Sequence, residues 1–347
     1  MMHNHSSNFI KYISKKILNT LHYQQKSDLK DIFIFSSFRS GSTWLAELIK
    51  SQKGVKFAIS PNKINLLENI DNYYQQINNR PYYVKLSKKE EEIIKNYIYN
   101  TSSGKLIYSR RYVDLFSKDH NFINNRTVYR LLRSNYLVNW YNKNFDIHPI
   151  YLLRHPIAAS LSREKIWKRS PNPEYWKSNA EFLLNSDYFV NNFLNKDLSD
   201  YLKKYLKDAN NLEKFVISWC LENLGFIKKI QTNTLEQGII YLNYEDLLIN
   251  PEKVINYLSQ KLKLNEKEKI LKKIKLPSST VRYSSQKTKN KFAEDNYDPS
   301  YLLQKWKDSI DRDAEKSIFE ILNRFGINIY QKDKFMPAPE YLLKKES

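Results

Sequence analysis

DIFIFSSFRSGSTWLAELIKS, residues 31–51, is the stretch that decides the fold. Residues 32–35 form a short apolar run of the kind a strand buried on both faces shows, and residues 43–49 repeat apolar side chains at helical spacing. Between them lie small polar residues and one arginine. Strand, tight turn and helix is the arrangement in which backbone N–H groups at a helix start converge on an anion.

Working outward, residues 126–132, 149–153 and 238–242 have the β-branched and aromatic character of inner strands, each followed by a helical pattern. Strands and helices alternating at such intervals predict an α/β fold: a P-loop-like, three-layer arrangement with a central, mostly parallel sheet. Residues 172–234 are helical in period and poor in strands, so they read as a helical insertion, a cap that shapes a cleft over the sheet. Residues 251–275 read as Lys-rich amphipathic helix and 301–325 as the last long helix. The polar, aperiodic stretch 277–299 reads as a surface loop. The expected division is an amino-terminal helical extension (1–30), a single domain (31–330) and a carboxyl-terminal tail (331–347).

The chain has 347 residues, 41% of them hydrophobic and 14% aromatic, which is enough apolar side chain for a core and too much for a disordered polymer. Six glycines and one cysteine exclude collagen-like, disulfide-stapled and Cys-rich zinc scaffolds. The lone Cys220 fits a reducing compartment, and a cytoplasmic location is expected. No run approaches the roughly 18 to 20 apolar residues that span a bilayer, so no transmembrane segment is expected. Near the amino terminus Phe9, Ile13, Ile17 and Leu21 fall four apart with Lys11, Lys15 and Lys16 between them. That pattern predicts an amphipathic helix, docked on the protein's own body or in peripheral contact with a membrane. The formal net charge of +20 points to an anionic partner, although compositional drift towards Lys, Asn, Ile and Tyr gives the same surplus.

The loop Ser36-Ser37-Phe38-Arg39-Ser40-Gly41-Ser42-Thr43 lacks the paired glycines and lysine of nucleotide hydrolases, which disfavours ATP hydrolysis. It keeps a glycine for close backbone approach, hydroxyl donors and one guanidinium ahead of a helix start. This is the equipment of a phosphate or sulfate nest, and equally of a capped helix. In IYLLRHPIAASLSREKIW, residues 150–167, Arg154 ends a buried strand, Pro156 opens the next helix and Ser162 follows Arg154 by eight residues, about two turns. An arginine at the carboxyl end of a parallel strand stands where open α/β sheets bind ligands.

Together, a Ser/Gly loop with a basic residue, a strand-end arginine with a serine eight on, and a YED segment after a late strand resemble the 3′-phosphoadenosine-5′-phosphosulfate (PAPS)-dependent sulfotransferase family. The likeness runs through FRSGSTWLAELI, VYRLLRSNYLVNWY, IYLLRHPIAASLSR, YLNYEDLLINPEKVINYL and KWKDSI, over about residues 31–310. The RHP and RSNYLVNWY forms are similar to prokaryotic and carbohydrate-type members.

The resemblance implies that Arg39 stands beside the 5′-phosphosulfate and that Ser40, Gly41, Ser42 and Thr43 complete the cradle. It places Trp44 where members stack the adenine, Arg154 and Ser162 at the 3′-phosphate, and Tyr244 near the adenosine. Trp306 and Lys307 match a carboxyl-terminal Trp-Lys, for which a structural role is favoured. The activity implied is transfer of a sulfuryl group from PAPS to a hydroxyl or amine, with Arg39 stabilising charge on the leaving group.

A general base is also needed. Ser60 occupies the place before Pro61 where many carbohydrate-type members carry Glu, which leaves the base open among Glu68, His120 and His148. His155, next to Arg154, is set aside as lying towards the 3′-phosphate. Arg130 and Arg133 follow from a strand end as receivers of an anionic acceptor, or as sheet-edge ion pairs.

No metal is expected, because no His, Asp, Glu or Cys cluster has ligand spacing. The competing readings are a P-loop kinase and a non-catalytic polyanion- or nucleic-acid-binding protein, although no nucleic-acid module is recognisable and no specific nucleic-acid partner is expected. The acceptor is not legible. Tyr175, Trp176, Tyr188 and Tyr201 suit stacking on a saccharide or a small metabolite, or packing in a core. Oligomeric state is equally closed.

Overall fold

A computed structural model describes residues 23–58, 82–105, 121–171, 178–276 and 300–343. In chain order the strands are β1 (Tyr23–Gln24), β2 (Asp31–Ser36), β3 (Val55–Ala58), β4 (Ile123–Asn124), β5 (Arg126–Leu132), β6 (Ile147–Leu153) and β7 (Ile240–Asn243). The α-helices are α1 (Ser42–Lys50), α2 (Lys88–Ser102), α3 (Val138–Asn144), α4 (Pro156–Trp167), α5 (Ala180–Leu184), α6 (Asp187–Phe193), α7 (Lys196–Asp208), α8 (Asn211–Gln231), α9 (Tyr244–Ile249), α10 (Pro251–Leu262), α11 (Lys267–Ile274), α12 (Ser300–Gln304) and α13 (Arg312–Arg324).

Because successive strand side chains point to opposite faces, an unbroken apolar run demands cover on both. Phe33 and Phe35 of β2 accordingly enter one core with Tyr129, Leu131, Tyr151 and Leu153, roofed by α2 to α8 and α13. Ile32 and Ile34 enter the other with Val128, Ile150 and Leu152, against α1 and α9 to α12. The result is a three-layer α/β fold. Each fully buried Ile or Phe contributes about 1.5–3 kcal/mol.

Five strands run parallel in the order β3-β5-β2-β6-β7, with Ile34 of β2 opposite Arg130 on one side and Ile150 on the other. The chain leaves β2 for β3, returns to β5 beside β2, then crosses to β6 on the far side. The carboxyl end of β2 is therefore the topological switch point, where such sheets open a ligand crevice. β1 and β4 form a separate parallel pair.

The expected helical insertion corresponds to α5 to α8 over its described residues, 178–234. Its long helix α8 begins with a reciprocal cap: the Asn210 side chain accepts from the Glu213 N–H (3.0 Å), and Glu213 accepts from the Asn210 N–H (2.9 Å).

Three segments differ from the sequence reading. The expected last helix, 301–325, divides into α12, a short 3₁₀ turn and α13, because Asp311 caps α13 at the Ala314 N–H (2.7 Å) and Trp306 turns into the core. The stretch 251–275 is two helices, separated at Lys263 with φ 53°. Residues 331–343 fold back on the body, where Asn243 donates to the Tyr341 carbonyl (2.8 Å). The amphipathic pattern over Phe9 to Leu21 and the stretch 277–299 lie outside the described residues.

Candidate active site

The loop leaving β2 takes its shape from two left-handed residues, Arg39 (φ 67°) and Gly41 (φ 89°), on either side of Ser40. Gly41 has a second reason to be glycine. A Cβ there would come within 2.4 Å of the Tyr244 ring. The hydroxyls of Ser37 and Ser40 are hydrogen-bonded at 2.8 Å and close the turn, and α1 starts at Ser42 with its N–H groups facing the loop.

Three arginines from three strand ends meet at this turn. The Arg39 Nε donates to Ser162 Oγ of α4 (3.0 Å). Arg154, just past β6, donates through Nη1 to the Arg39 carbonyl (2.9 Å) and lies over the Tyr244 ring, 4.5 Å from its centroid. Arg130 of β5 donates to Thr43 Oγ1. Among the described residues no carboxylate stands within ion-pair distance of Arg39 or Arg154, and the buried Arg154 Nε has no hydrogen-bond partner. Burial, with Arg154 and Arg130 adding to it, lowers the Arg39 pKa to about 10. Positive charge is thus concentrated at the positive end of α1, an arrangement that favours an anion electrostatically.

The structure thus brings together Arg39, Ser40, Gly41, Ser42, Thr43, Arg154, Ser162 and Tyr244. Trp44 lies beside them as a packed residue, edge-on to Tyr244 (5.6 Å between centroids) with its indole N–H donating to the Leu276 carbonyl (3.4 Å). Arg130, read from sequence as a receiver of an anionic acceptor, reaches the loop itself through Thr43. Arg133 has φ 67° and its guanidinium lies over the Phe38 ring at 5.2 Å.

Of the bases proposed from sequence, His148 is at the wrong end. It pairs with Ile32 at the start of the strands, opposite the loop, and burial beside Arg126 and Lys30 lowers its pKa to about 4. Glu68 and His120 lie outside the described residues, as do Ser60, Tyr175 and Trp176. His155 also turns away from the loop. Its ring stacks on Trp306 (4.7 Å, 15°) and burial lowers its pKa to about 3. Lys307 donates to the Asp333 carbonyl (2.8 Å), so the Trp-Lys pair packs the carboxyl-terminal segment onto the sheet. Tyr201 lies under the Arg324 guanidinium (4.1 Å), whereas Tyr188 is exposed.

Sequence reasoning missed Glu245. It is buried, accepts from the His155 backbone N–H (2.8 Å) and the Tyr330 hydroxyl (2.9 Å), and so fixes the turn that carries Arg154. Burial raises its pKa to about 7, against the opposing pull of the His155 N–H and Arg154. Its signal in the sequence is the YED segment, which it shares with Tyr244.

Among the described residues no group of three metal-ligating side chains is found, and no helix is long and apolar enough to cross a membrane. No curated protein matches the chain by sequence. Solved structures similar to it include mouse sulfotransferase SULT7A1 complexed with PAP, at 13% identity and a TM-score of 0.42, covering 92% of this chain and 91% of that one. The sulfotransferase domain of the Synechococcus PCC 7002 olefin synthase aligns at 17% identity and 0.41, covering 89% and 98%. Sulfotransferase STF9 from Mycobacterium avium aligns at 12% and 0.35, covering 91% and 81%. The family model described as "Sulfotransferase domain" matches residues 29–324, most of the chain, including the Ser/Gly loop, Arg154, Ser162 and the YED segment, and the protein therefore belongs to the sulfotransferase family.

Proposed function

We propose that the loop and Arg154 form the donor site for PAPS, and that the protein transfers its sulfuryl group to a hydroxyl or amine of an acceptor. The observation that carries this reading is the meeting of Arg39, Arg130 and Arg154 at a helix start with, among the described residues, no carboxylate within ion-pair distance of Arg39 or Arg154. Arg39 and the loop N–H groups hold the 5′ side, and Arg154 with Ser162 holds the 3′-phosphate. Tyr244 and Trp44 border the adenosine. PAPS supplies an activated sulfuryl group whose departure leaves negative charge on the bridging oxygen. Arg39 is prepaid for that moment: its left-handed backbone, its bond to Ser162 and its buried cation are already in place, so little reorganisation accompanies the charge. Neither His148 nor His155 supports the role of base, which leaves Glu68 and His120 as the candidates.

The basic surface and the lone buried Cys220 support a cytoplasmic enzyme acting on an acidic saccharide. A P-loop kinase is less well supported, because Arg154 and Ser162 flank the loop where ATP has no 3′-phosphate to engage. Arg154→Ala tests the assignment by calorimetry. Loss of a charge-assisted hydrogen bond of about 1.5–3 kcal/mol should weaken adenosine 3′,5′-diphosphate by roughly 10- to 100-fold and 5′-AMP far less. Equal losses for the two ligands would remove Arg154 from the 3′-phosphate.

A further inference from the structure

Ser162 and Arg163 are consecutive on α4, and they hold consecutive residues of the donor loop. Ser162 receives the Arg39 side chain (3.0 Å), while the Arg163 guanidinium lies over the ring of Phe38, 5.1 Å from its centroid. Arg163 is itself fixed on its far side. Its Nη1 donates to Glu222 Oε1 of α8 (2.9 Å), and both side chains are almost wholly buried, at 4% and 1% exposure. The same Glu222 oxygen accepts from Asn179 Nδ2 (2.7 Å) and Ser218 Oγ (3.0 Å), so the carboxylate is held from three directions. Phe215 of α8 adds a second ring beneath the guanidinium (5.3 Å).

A buried ion pair brings little net stability over a well-packed apolar pair, and its best-attested use is to fix one arrangement among several. Here there is an arrangement to fix. Arg39 sits in the left-handed region, which costs a non-glycine residue free energy and persists only where the surroundings over-determine it. Anchoring Phe38, the residue immediately before, removes the freedom through which Arg39 would relax. Stacking on a planar guanidinium is directional, and lysine does not reproduce it.

We infer that Arg163, clamped by Glu222 and seated on Phe38, is a positioning residue that holds Arg39 in its anion-binding conformation. This rests on the donor-site reading given above, and it adds a role for the helical insertion: α8, through Glu222, sets the shape of the donor loop from behind.

The test is calorimetric titration of Arg163→Lys, Phe38→Leu and the double variant with adenosine 3′,5′-diphosphate, 5′-AMP and 3′-AMP, alongside the unsubstituted protein. Arg163→Lys should weaken the diphosphate and 5′-AMP by the same factor, about tenfold, the size of a buried cation–π contact. It should weaken 3′-AMP by a clearly smaller factor, because Arg154 and Ser162 touch Arg39 but are not themselves substituted. Phe38→Leu should give the same pattern, and the double variant should lose no more than either single one. Wild-type affinities in Arg163→Lys, equal losses for all three ligands, or losses that multiply in the double variant would overturn the inference. If Arg163→Lys does not fold, as judged by its thermal melt, Phe38→Leu carries the same test because it leaves the ion pair intact. Failure of the unsubstituted protein to bind the diphosphate would sink the donor-site reading and this inference with it, whereas tight binding that Phe38→Leu leaves unchanged would sink this inference alone.

Discussion

The two ends of the sheet both bury charge, and they treat it in opposite ways. At the amino end Asp31 sits beside Lys56 and Arg126, its carboxylate accepting from the Thr127 N–H (2.6 Å) and the Ser102 hydroxyl. Lys56 donates to Gln24 Oε1 (2.7 Å) and the Thr101 carbonyl (2.6 Å), and Arg126 to the carbonyls of Lys30 (2.5 Å) and Leu262. Asp31 attracts both cations from beyond ion-pair distance, and hydrogen bonds to carbonyl oxygens hold them. At the carboxyl end Arg39 and Arg154 are met by a hydroxyl, a backbone carbonyl and an aromatic face, and among the described residues no carboxylate stands within ion-pair distance of either, Glu245 acting on Arg154 only at longer range. One end holds its charges with internal hydrogen bonds; the other leaves Arg39 and Arg154 short of polar partners, which is the feature on which the proposed donor site rests.

The comparison breaks most readily at Asp31. Asp31→Ala leaves the Thr127 N–H and the Ser102 hydroxyl without their acceptor and removes the anion near Lys56 and Arg126, which should lower stability by about 1–3 kcal/mol in a denaturant titration. Donor selectivity should be unchanged at a temperature where the variant is folded. An Asp31→Ala protein as stable as wild type would show that Asp31 does not hold the amino end together.

Arg39→Ala probes the opposite end. It should reduce sulfuryl turnover by about 10² to 10³, in the range seen when one preorganised charge stabiliser is removed. Affinity for adenosine 3′,5′-diphosphate should fall less, since the contribution grows with leaving-group charge. Its melting temperature without ligand should hold or rise, because a buried cation without a counter-ion has been removed. Turnover that survives Arg39→Ala, or a stability loss as large as that of Asp31→Ala, would erase the distinction between the ends.

Glu245 gives a smaller, pH-dependent effect. Its pKa is raised from 4.5 to about 7 in the folded protein, so between those values the folded state binds the extra proton. Stability from this group is full below about 4.5 and declines as pH rises through about 7, by up to about 3 kcal/mol in total. Glu245→Gln should flatten that slope in chemical melts between pH 5 and 8 while keeping an acceptor for the His155 N–H. An unchanged slope would mean that Glu245 does not titrate there.

Much of this was legible along the chain because it is written locally. The run at 32–35, the turn residues and the helix after them lie within twenty positions, and their order alone predicts strand, tight turn and helix. The placing of Arg154 at a strand end and of Ser162 two turns on is local too, whereas their pairing with the loop is implied only by the family resemblance. What was hidden joins distant positions: Tyr244 against Gly41, Glu245 beneath His155, and Glu222 behind Arg163, each pairing set by sheet order and not by spacing. β3, Val55–Ala58, is not visible in the sequence because Lys56 interrupts its apolar run, and that lysine is explained by Gln24, Thr101 and Asp31, which the fold brings to it. His148 shows the converse error. A histidine at a strand's start cannot reach a site at the strands' far end, and register, which decides that, is not visible in composition.

The central claim is that the carboxyl end of the sheet recognises an adenosine bearing both 5′ and 3′ anions. It is tested most directly by titrating the protein with adenosine 3′,5′-diphosphate, 5′-AMP and ATP in parallel, at moderate salt to screen non-specific attraction to a chain of net charge +20. The account predicts that the 3′,5′-diphosphate binds at least tenfold more tightly than either of the others. Equal affinity for all three, or a preference for ATP, would contradict it.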